Sequence, residues 1–131
     1  APETISRIID IFPPQYQAQA RVMLSMSLEG VMCQSLLPRA DGTGRVLAME
    51  ILIPNPAVRN LIRENKIHQI YSQMQLGQEK FGMLTFNQNL CDLHCRKVIT
   101  LETAMSATSN PEELTDLIQR RAAGVGVAVK R

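Results

Sequence analysis

The apolar positions of this chain follow helical spacing in most segments. In residues 2–11 they recur every three or four positions, which predicts a short amphipathic helix that Pro13 and Pro14 end. The same spacing predicts a longer helix over residues 15–31. The apolar stripes of these two helices contain Ile5, Ile8, Ile9, Phe12, Tyr16, Ala20, Met23, Leu24, Leu28 and Val31.

The middle of the chain has the pattern of a β-hairpin. Residues 32–38 and 45–53 are apolar runs of strand length, and Asp41, Gly42 and Gly44 between them favour a turn. The rest of the chain returns to helical spacing, with a loop predicted over 79–82. The predicted helices span 56–64, 66–76, 86–96, 101–107 and a segment that begins at Pro111.

The helix over 56–64 separates its two faces sharply. Asn55 suits its N-cap and Pro56 its first position. The predicted core side consists of Ala57, Val58, Leu61 and Ile62, and the predicted polar side of Arg59, Asn60, Arg63 and Glu64.

The charged residues on the polar side of this helix should add little to the stability of the fold. Arg59 and Arg63 are four positions apart and repel slightly rather than pair. Exposed ion pairs contribute only about 0–1 kcal/mol. For an anonymous helix this pattern indicates an ordinary solvated face, but together with the motif match given next we interpret it as a functional surface.

Residues 57–64 resemble the Ala-Ile-Arg-Asn-Leu-Ile-Arg-Glu motif of type IV pilus retraction ATPases (the PilT family), with Val58 in place of Ile. The resemblance covers about residues 2–120 in order and spacing. Further matching segments are 4–13, 24–31, 34–39, 44–51, 68–70 and 74–77. Lys97 departs from the pattern where such proteins often have Gly, and Cys91 and Cys95 are not part of it.

The resemblance implies a helix-rich α/β fold. Residues 1–53 would end a RecA-like ATPase core, 54–121 would form a C-terminal helical subdomain, and 122–131 are expected to be a disordered tail. It also implies a hexameric, cytoplasmic motor, peripheral at the inner membrane, that uses ATP and Mg²⁺ to retract pili and meets an inner-membrane platform protein.

The catalytic motifs of that family are not in this sequence. No Gly-x-x-x-x-Gly-Lys-Ser/Thr occurs, and no apolar strand ends in an acidic pair. We expect a C-terminal fragment with no catalytic, cofactor-binding or metal-binding residues, inactive alone. Faces that would pack on the missing half predict self-association through residues 2–31 or the hairpin.

Charge and composition narrow the alternatives. The net charge of +2 and the absence of Trp argue against nucleic-acid binding, and three cysteines in this chain fit a reducing compartment. Cys91-x-x-His94-Cys95 invites a zinc interpretation, but a structural site needs four ligands, so free thiols are favoured. The remaining rivals are a free-standing helical interaction module, a pilus-assembly or type II secretion ATPase fragment, and a small metalloenzyme.

Overall fold

The computed structural model describes residues 1–124. A single β-hairpin lies between two groups of helices along the chain. In chain order the elements are α1 (Pro2–Asp10), α2 (Pro14–Ser27), β1 (Val31–Pro38), β2 (Arg45–Leu52), α3 (Pro56–Arg63), α4 (Ile70–Leu76), α5 (Gln78–Phe81), α6 (Phe86–Cys95), α7 (Leu101–Ala107) and α8 (Pro111–Ala122), with a 3-10 turn at Ile67–Gln69.

The two strands pair with each other in a two-stranded antiparallel sheet, which confirms the predicted hairpin and the helix-rich α/β class. The connection is polar and tight. Asp41 Oδ1 accepts hydrogen bonds from the backbone N–H and the hydroxyl of Thr43, and Gly42 and Gly44 have positive φ angles of 74° and 81°. Glycine adopts this conformation without steric cost, so the turn residues direct the strands back on each other.

The chain divides into two compact units, each formed by two separate stretches. The first unit joins Ala1–Cys33 to Ile51–Met83, and the second joins Gln34–Glu50 to the residues from Leu84 onward. The sequence-based division at residue 53 remains a prediction about the family's domains. The two units are defined by which residues contact one another, and each strand of the hairpin has residues in both units.

Each unit has its own apolar core. In the first, α1 and β2 contribute to one cluster with α3, α4 and the segment that follows; its buried members are Ile5, Ile9, Leu52, Val58, Ile62, Ile67, Ile70, Met74 and Met83. In the second, the hairpin contributes to a cluster with α6, α7 and α8; its buried members are Leu37, Ala48, Leu90, Cys91, Leu93, Ile99, Ala104 and Leu114.

Three predicted element bounds are wrong. Helix α2 ends at Ser27 rather than 31, because Leu28 is extended and β1 begins at Val31. The predicted helix over 66–76 begins as a 3-10 turn and becomes α-helical only at Ile70. The predicted loop over 79–82 contains the one-turn helix α5, which ends at Gly82 in the left-handed conformation.

Gly77 joins α4 to α5 and is favoured by space rather than by conformation. Its φ is −85°, and a Cβ at this position would lie 2.9 Å from Met83 Cε and 3.0 Å from the Gln73 carbonyl oxygen. A larger residue would therefore displace the end of the buried Met83 side chain and crowd the Gln73 carbonyl. Gly77 is thus the C-cap of α4 at a position where Gly leaves room for Met83.

The tail predicted to be disordered, 122–131, lies outside the described residues except at its first positions, where Ala122 ends α8. Within residues 1–124, none of the helices combines the length and the apolar character that crossing a membrane would need.

Candidate functional site

The motif helix α3 is defined at both ends by side-chain and backbone caps. Asn55 Oδ1 accepts a hydrogen bond of 2.9 Å from the backbone N–H of Val58, and Pro56 occupies the first turn. At the other end, Lys66 N–H donates to the Leu61 carbonyl and Asn65 N–H to the Ile62 carbonyl, with Asn65 at φ 59°. This is a Schellman motif, in which Asn tolerates the left-handed position.

The buried face of α3 is narrower than its sequence suggested. Val58 and Ile62 have no exposed surface, whereas Leu61 is partly buried and Ala57 is exposed. At about 100° per residue, Leu61 lies about 80° from the centre of the buried face and Ala57 about 120° from it. The assignment of Ala57 to the core is therefore wrong.

Arg59 lies on the other flank of the buried face, also about 80° from its centre. Its side chain is only 25% exposed. Nη1 donates a 2.7 Å hydrogen bond to the Ser25 carbonyl and a 3.4 Å one to the Met26 carbonyl, and Nη2 lies 3.9 Å from a Glu29 carboxylate oxygen. Arg59 is thus a contact between α3 and the last turn of α2.

This contact caps the C-terminal end of α2. Carbonyls in the last turn of a helix have no N–H partner four residues onward. Here the Arg59 guanidinium donates to the Ser25 and Met26 carbonyls and places a positive charge at the negative end of the helix dipole. The sequence predicts Arg59 on the polar functional surface of α3 but not this contact with α2, because no local pattern reveals a partner 34 positions earlier.

The remaining polar residues of the motif do lie at the surface. Asn60 Nδ2 donates to Glu64 Oε1 at 3.1 Å, Arg63 Nη2 donates to Asn60 Oδ1 at 3.3 Å, and Lys66 Nζ lies 2.9 Å from Glu64 Oε2. The hydrogen bond from Lys66, assisted by that from Asn60, holds the pKa of the Glu64 carboxyl below its ordinary value. We call Asn60, Arg63 and Glu64 the exposed motif face.

Helices α1 and α2 enclose an open apolar groove of about 480 Å³. Ile8 of α1 and Phe12 of the turn after it line one side, and Tyr16, Ala20 and Met23 of α2 line the other. The predicted stripe of α2 therefore faces this groove, and Tyr16 and Met23 remain more than half exposed. The predicted self-association through residues 2–31 stays a prediction.

The cysteine cluster of α6 lies in the other unit. The Cys91 and Cys95 sulfurs are 4.0 Å apart, Cys91 is buried and Cys95 exposed. Burial, with the neighbouring Cys95, raises the pKa of the Cys91 thiol to about 11. Among residues 1–124, no three or more His, Cys, Asp or Glu side chains are grouped so that they could hold a metal ion. His94 therefore does not complete a zinc site with the two thiols.

Two named relatives share this sequence at high identity. The chain is 49% identical over 115 residues to a twitching motility protein of Neisseria gonorrhoeae, covering 88% of this chain and 30% of that protein. It is 44% identical over 112 residues to the type IV pilus retraction ATPase PilT of Pseudomonas aeruginosa, covering 86% of this chain and 32% of that protein.

Solved structures agree. A crystal structure of the pilus retraction motor PilT with bound ADP superposes with a TM-score of 0.78 and 52% identity, covering 88% of this chain and 32% of that one. The ATPase DotB of Yersinia pseudotuberculosis superposes with a TM-score of 0.65 at 21% identity over 89% of this chain and 28% of that one, which shows the shared fold alone.

No family model matches the sequence. The chain spans about a third of the length of the curated relatives it matches, 30% and 32% for the two named above. The matched region is a C-terminal portion of those proteins. From the identity across most of this chain and the superposition on PilT, we conclude that it corresponds to a C-terminal portion of the type IV pilus retraction ATPase family.

Proposed function

We propose that this chain is the C-terminal part of a motor ATPase that drives type IV pilus retraction, and that the exposed motif face is its contact surface for a neighbouring domain or partner. The observation that carries the proposal is the position of Asn60, Arg63 and Glu64. They lie at the surface of a helix whose sequence is the family motif and whose packing is already provided by its opposite side.

The hydrogen bonds of this face favour recognition over stability. Asn60 connects Arg63 to Glu64, so the three side chains are held in a fixed relation at the surface. Exposed pairs of this kind contribute at most about 1 kcal/mol to folding. An ordered set of charged and amide groups can still discriminate between partners, because a mismatched contact leaves a polar group unpaired.

Nucleotide chemistry would lie outside the portion described here. The PilT crystal structure contains ADP, and this sequence has no phosphate-binding loop. ATP and Mg²⁺ would therefore bind residues beyond this third of the relatives' length, and this chain alone should bind no ATP. In that arrangement the chain would lie in the cytoplasm as part of a homo-oligomeric ring, hexameric in our proposal. The ring would contact a platform protein of the inner membrane.

A chimera tests the proposal directly. The matched portion of the Neisseria gonorrhoeae twitching motility protein would be replaced by this chain and expressed in a strain that lacks that protein. We expect the chimera to restore twitching motility, and Arg63→Ala in the chimera to abolish it while protein abundance and thermal stability stay unchanged.

Arg7→Ala is the matched control. Arg7 is an exposed helical arginine, 83% accessible, with an i, i+4 acidic neighbour, and it lies outside the eight-residue motif of α3. Cells that express the Arg7→Ala chimera should show normal twitching motility. Normal twitching by the Arg63→Ala chimera would refute the functional role of the exposed motif face, and failure of the unmodified chimera would refute the motor assignment.

A further inference from the structure

The C-terminal turn of α6 places two thiols side by side. Cys91 and Cys95 are one helical turn apart, and their sulfurs are separated by 4.0 Å. Cys95 is exposed and Cys91 is 5% exposed, so one sulfur is accessible from solvent and the other is held by the core. This pair is independent of the exposed motif face, which belongs to the other unit.

The spacing suits one bridging ion better than a disulfide. Metal–thiolate bonds are about 2.3 Å long, so two sulfurs on one ion lie at most about 4.6 Å apart. A disulfide needs Cβ atoms about 3.5–4.5 Å apart, whereas i, i+4 positions on a helix hold them at about 5–6 Å. A linear two-coordinate ion would need the sulfurs about 0.6 Å farther apart than the observed 4.0 Å, which rotation of the side chains supplies, whereas the disulfide would distort the last turn of the helix.

The ligand count selects the class of ion. Within the described residues no third His, Cys, Asp or Glu joins this pair in a metal-binding group. Zinc sites use four ligands, or three with water, while thiolates favour soft ions such as Cu(I). We propose that Cys91 and Cys95 form a two-thiolate site for a soft monovalent metal ion.

The charges around the pair match such a complex. Asp92 lies 3.2 Å from Arg96 and 3.0 Å from Arg121. Burial raises the pKa of the Cys91 thiol, and the positive charge of Arg121 acts in the opposite direction by favouring the thiolate. Two arginines and one aspartate leave one net positive charge. Binding forms two metal–sulfur bonds and releases both thiol protons to solvent without a change of oxidation state. The product carries one negative charge, which the arginines offset.

A competition titration tests the site. The reduced chain would be titrated anaerobically with Cu(I) against a chromophoric Cu(I) chelator. We expect one equivalent to be retained. Cys95→Ser should weaken binding at least about 100-fold because a ligand is lost, and Arg121→Gln by about 10-fold because the offsetting charge is lost.

Cys33→Ser is the matched control, since Cys33 is the third thiol of the chain and belongs to the other unit. It should bind like the parent chain. Cys95 is exposed, so its replacement should leave the fold intact, which a thermal melt would verify. Unchanged affinity in Cys95→Ser, or no stoichiometric binding by the parent chain, would overturn the proposal.

Discussion

Helices α3 and α6 are built with the same devices but bury different shares of their surfaces. Each begins with a side-chain cap, from Asn55 in α3 and from the Thr85–Gln88 capping box in α6. Each ends with a residue in the left-handed conformation, Asn65 and Lys97. Yet α3 buries two residues of eight, and α6 buries five of ten.

The difference shows in how each helix treats its polar residues. In α6, Asn87 is 4% exposed and satisfied on all sides: it accepts from the Thr108 hydroxyl and donates to the Asn110 carbonyl and a Glu113 carboxylate oxygen. In α3, the exposed Asn60 amide donates to Glu64 and accepts from Arg63, both on its own helix face. A buried amide organises its unit, whereas an exposed one is available for recognition.

Core truncations should have the largest effect and should not distinguish the two helices. Ile62→Ala and Leu90→Ala each remove a fully buried aliphatic side chain, so each should lower the free energy of unfolding by about 2–5 kcal/mol. Chemical denaturation followed by circular dichroism measures this. Leu61→Ala, at a partly buried position, should cost less; an equal cost would contradict the narrow buried face of α3.

Removing the amide side chains should destabilise the protein by different amounts in the two helices. Asn87→Ala removes three hydrogen bonds from a buried site and should cost about 3 kcal/mol at about 1 kcal/mol each. Asn60→Ala should stay within about 0.5 kcal/mol, as surface substitutions usually do. The same denaturation experiment compares them, and similar costs would show that Asn87 does not organise α6 and α8.

The two arginines of α3 should contribute differently to the stability of the fold. Arg59→Ala should cost about 1.5–3 kcal/mol, because it removes charge-assisted hydrogen bonds to the end of α2. Arg63→Ala should cost no more than about 0.5 kcal/mol. Thermal melts of both variants measure the difference. If Arg59→Ala melted like Arg63→Ala, the contact with Ser25 would contribute nothing to stability.

This difference also decides which arginine can report on function. A loss of motility in an Arg59 variant would combine an effect on the fold with any effect on partners. Arg63 separates the two effects, since its exposed side chain donates to Asn60 within the exposed motif face. Arg63 is therefore the better probe of the contact surface.

The helix ends should give the smallest effect. Lys97 adopts φ 60°, which costs a side-chain-bearing residue about 1–2 kcal/mol, so Lys97→Gly should stabilise the chain by about 0.5–1 kcal/mol after the entropic cost of Gly. Asn65→Gly should change little, because Asn tolerates this conformation. Differential scanning calorimetry would detect the shift. A destabilised Lys97→Gly chain would show that the Lys side chain contributes more than the strain costs.

Local signals in the sequence were sufficient for most elements. Asn55 predicted the start of α3, and Thr85, Thr100 and Asn110 are cap residues of the same kind at the starts of α6, α7 and α8. Each of the four accepts a hydrogen bond from a backbone N–H three residues onward. Capping depends on neighbours within one turn, so a short window of sequence contains all the information. The hairpin is predictable for the same reason, since its turn residues are adjacent.

Long-range contacts could not be predicted from the sequence. In the sequence, Arg59 is one more polar residue of α3, and its contact becomes visible only when α2 and α3 pack together. The cap on the last turn of α2 is the same contact. The adjacency of Cys91 and Cys95 was predictable from their spacing, but the arginine beside them comes from α8, 26 positions beyond Cys95 by sequence number and unsignalled by any local pattern.

The sequence by itself determined where helices begin, which side of α3 is apolar and which family the motif indicates, because these depend on residues within a few positions of one another. The tertiary structure decided which motif residues are available to a partner. It assigned Arg59 to the end of α2 and left Asn60, Arg63 and Glu64 at the surface. The physical reason is that burial and charge neutralisation are properties of packed neighbours, and those neighbours are distant in the chain.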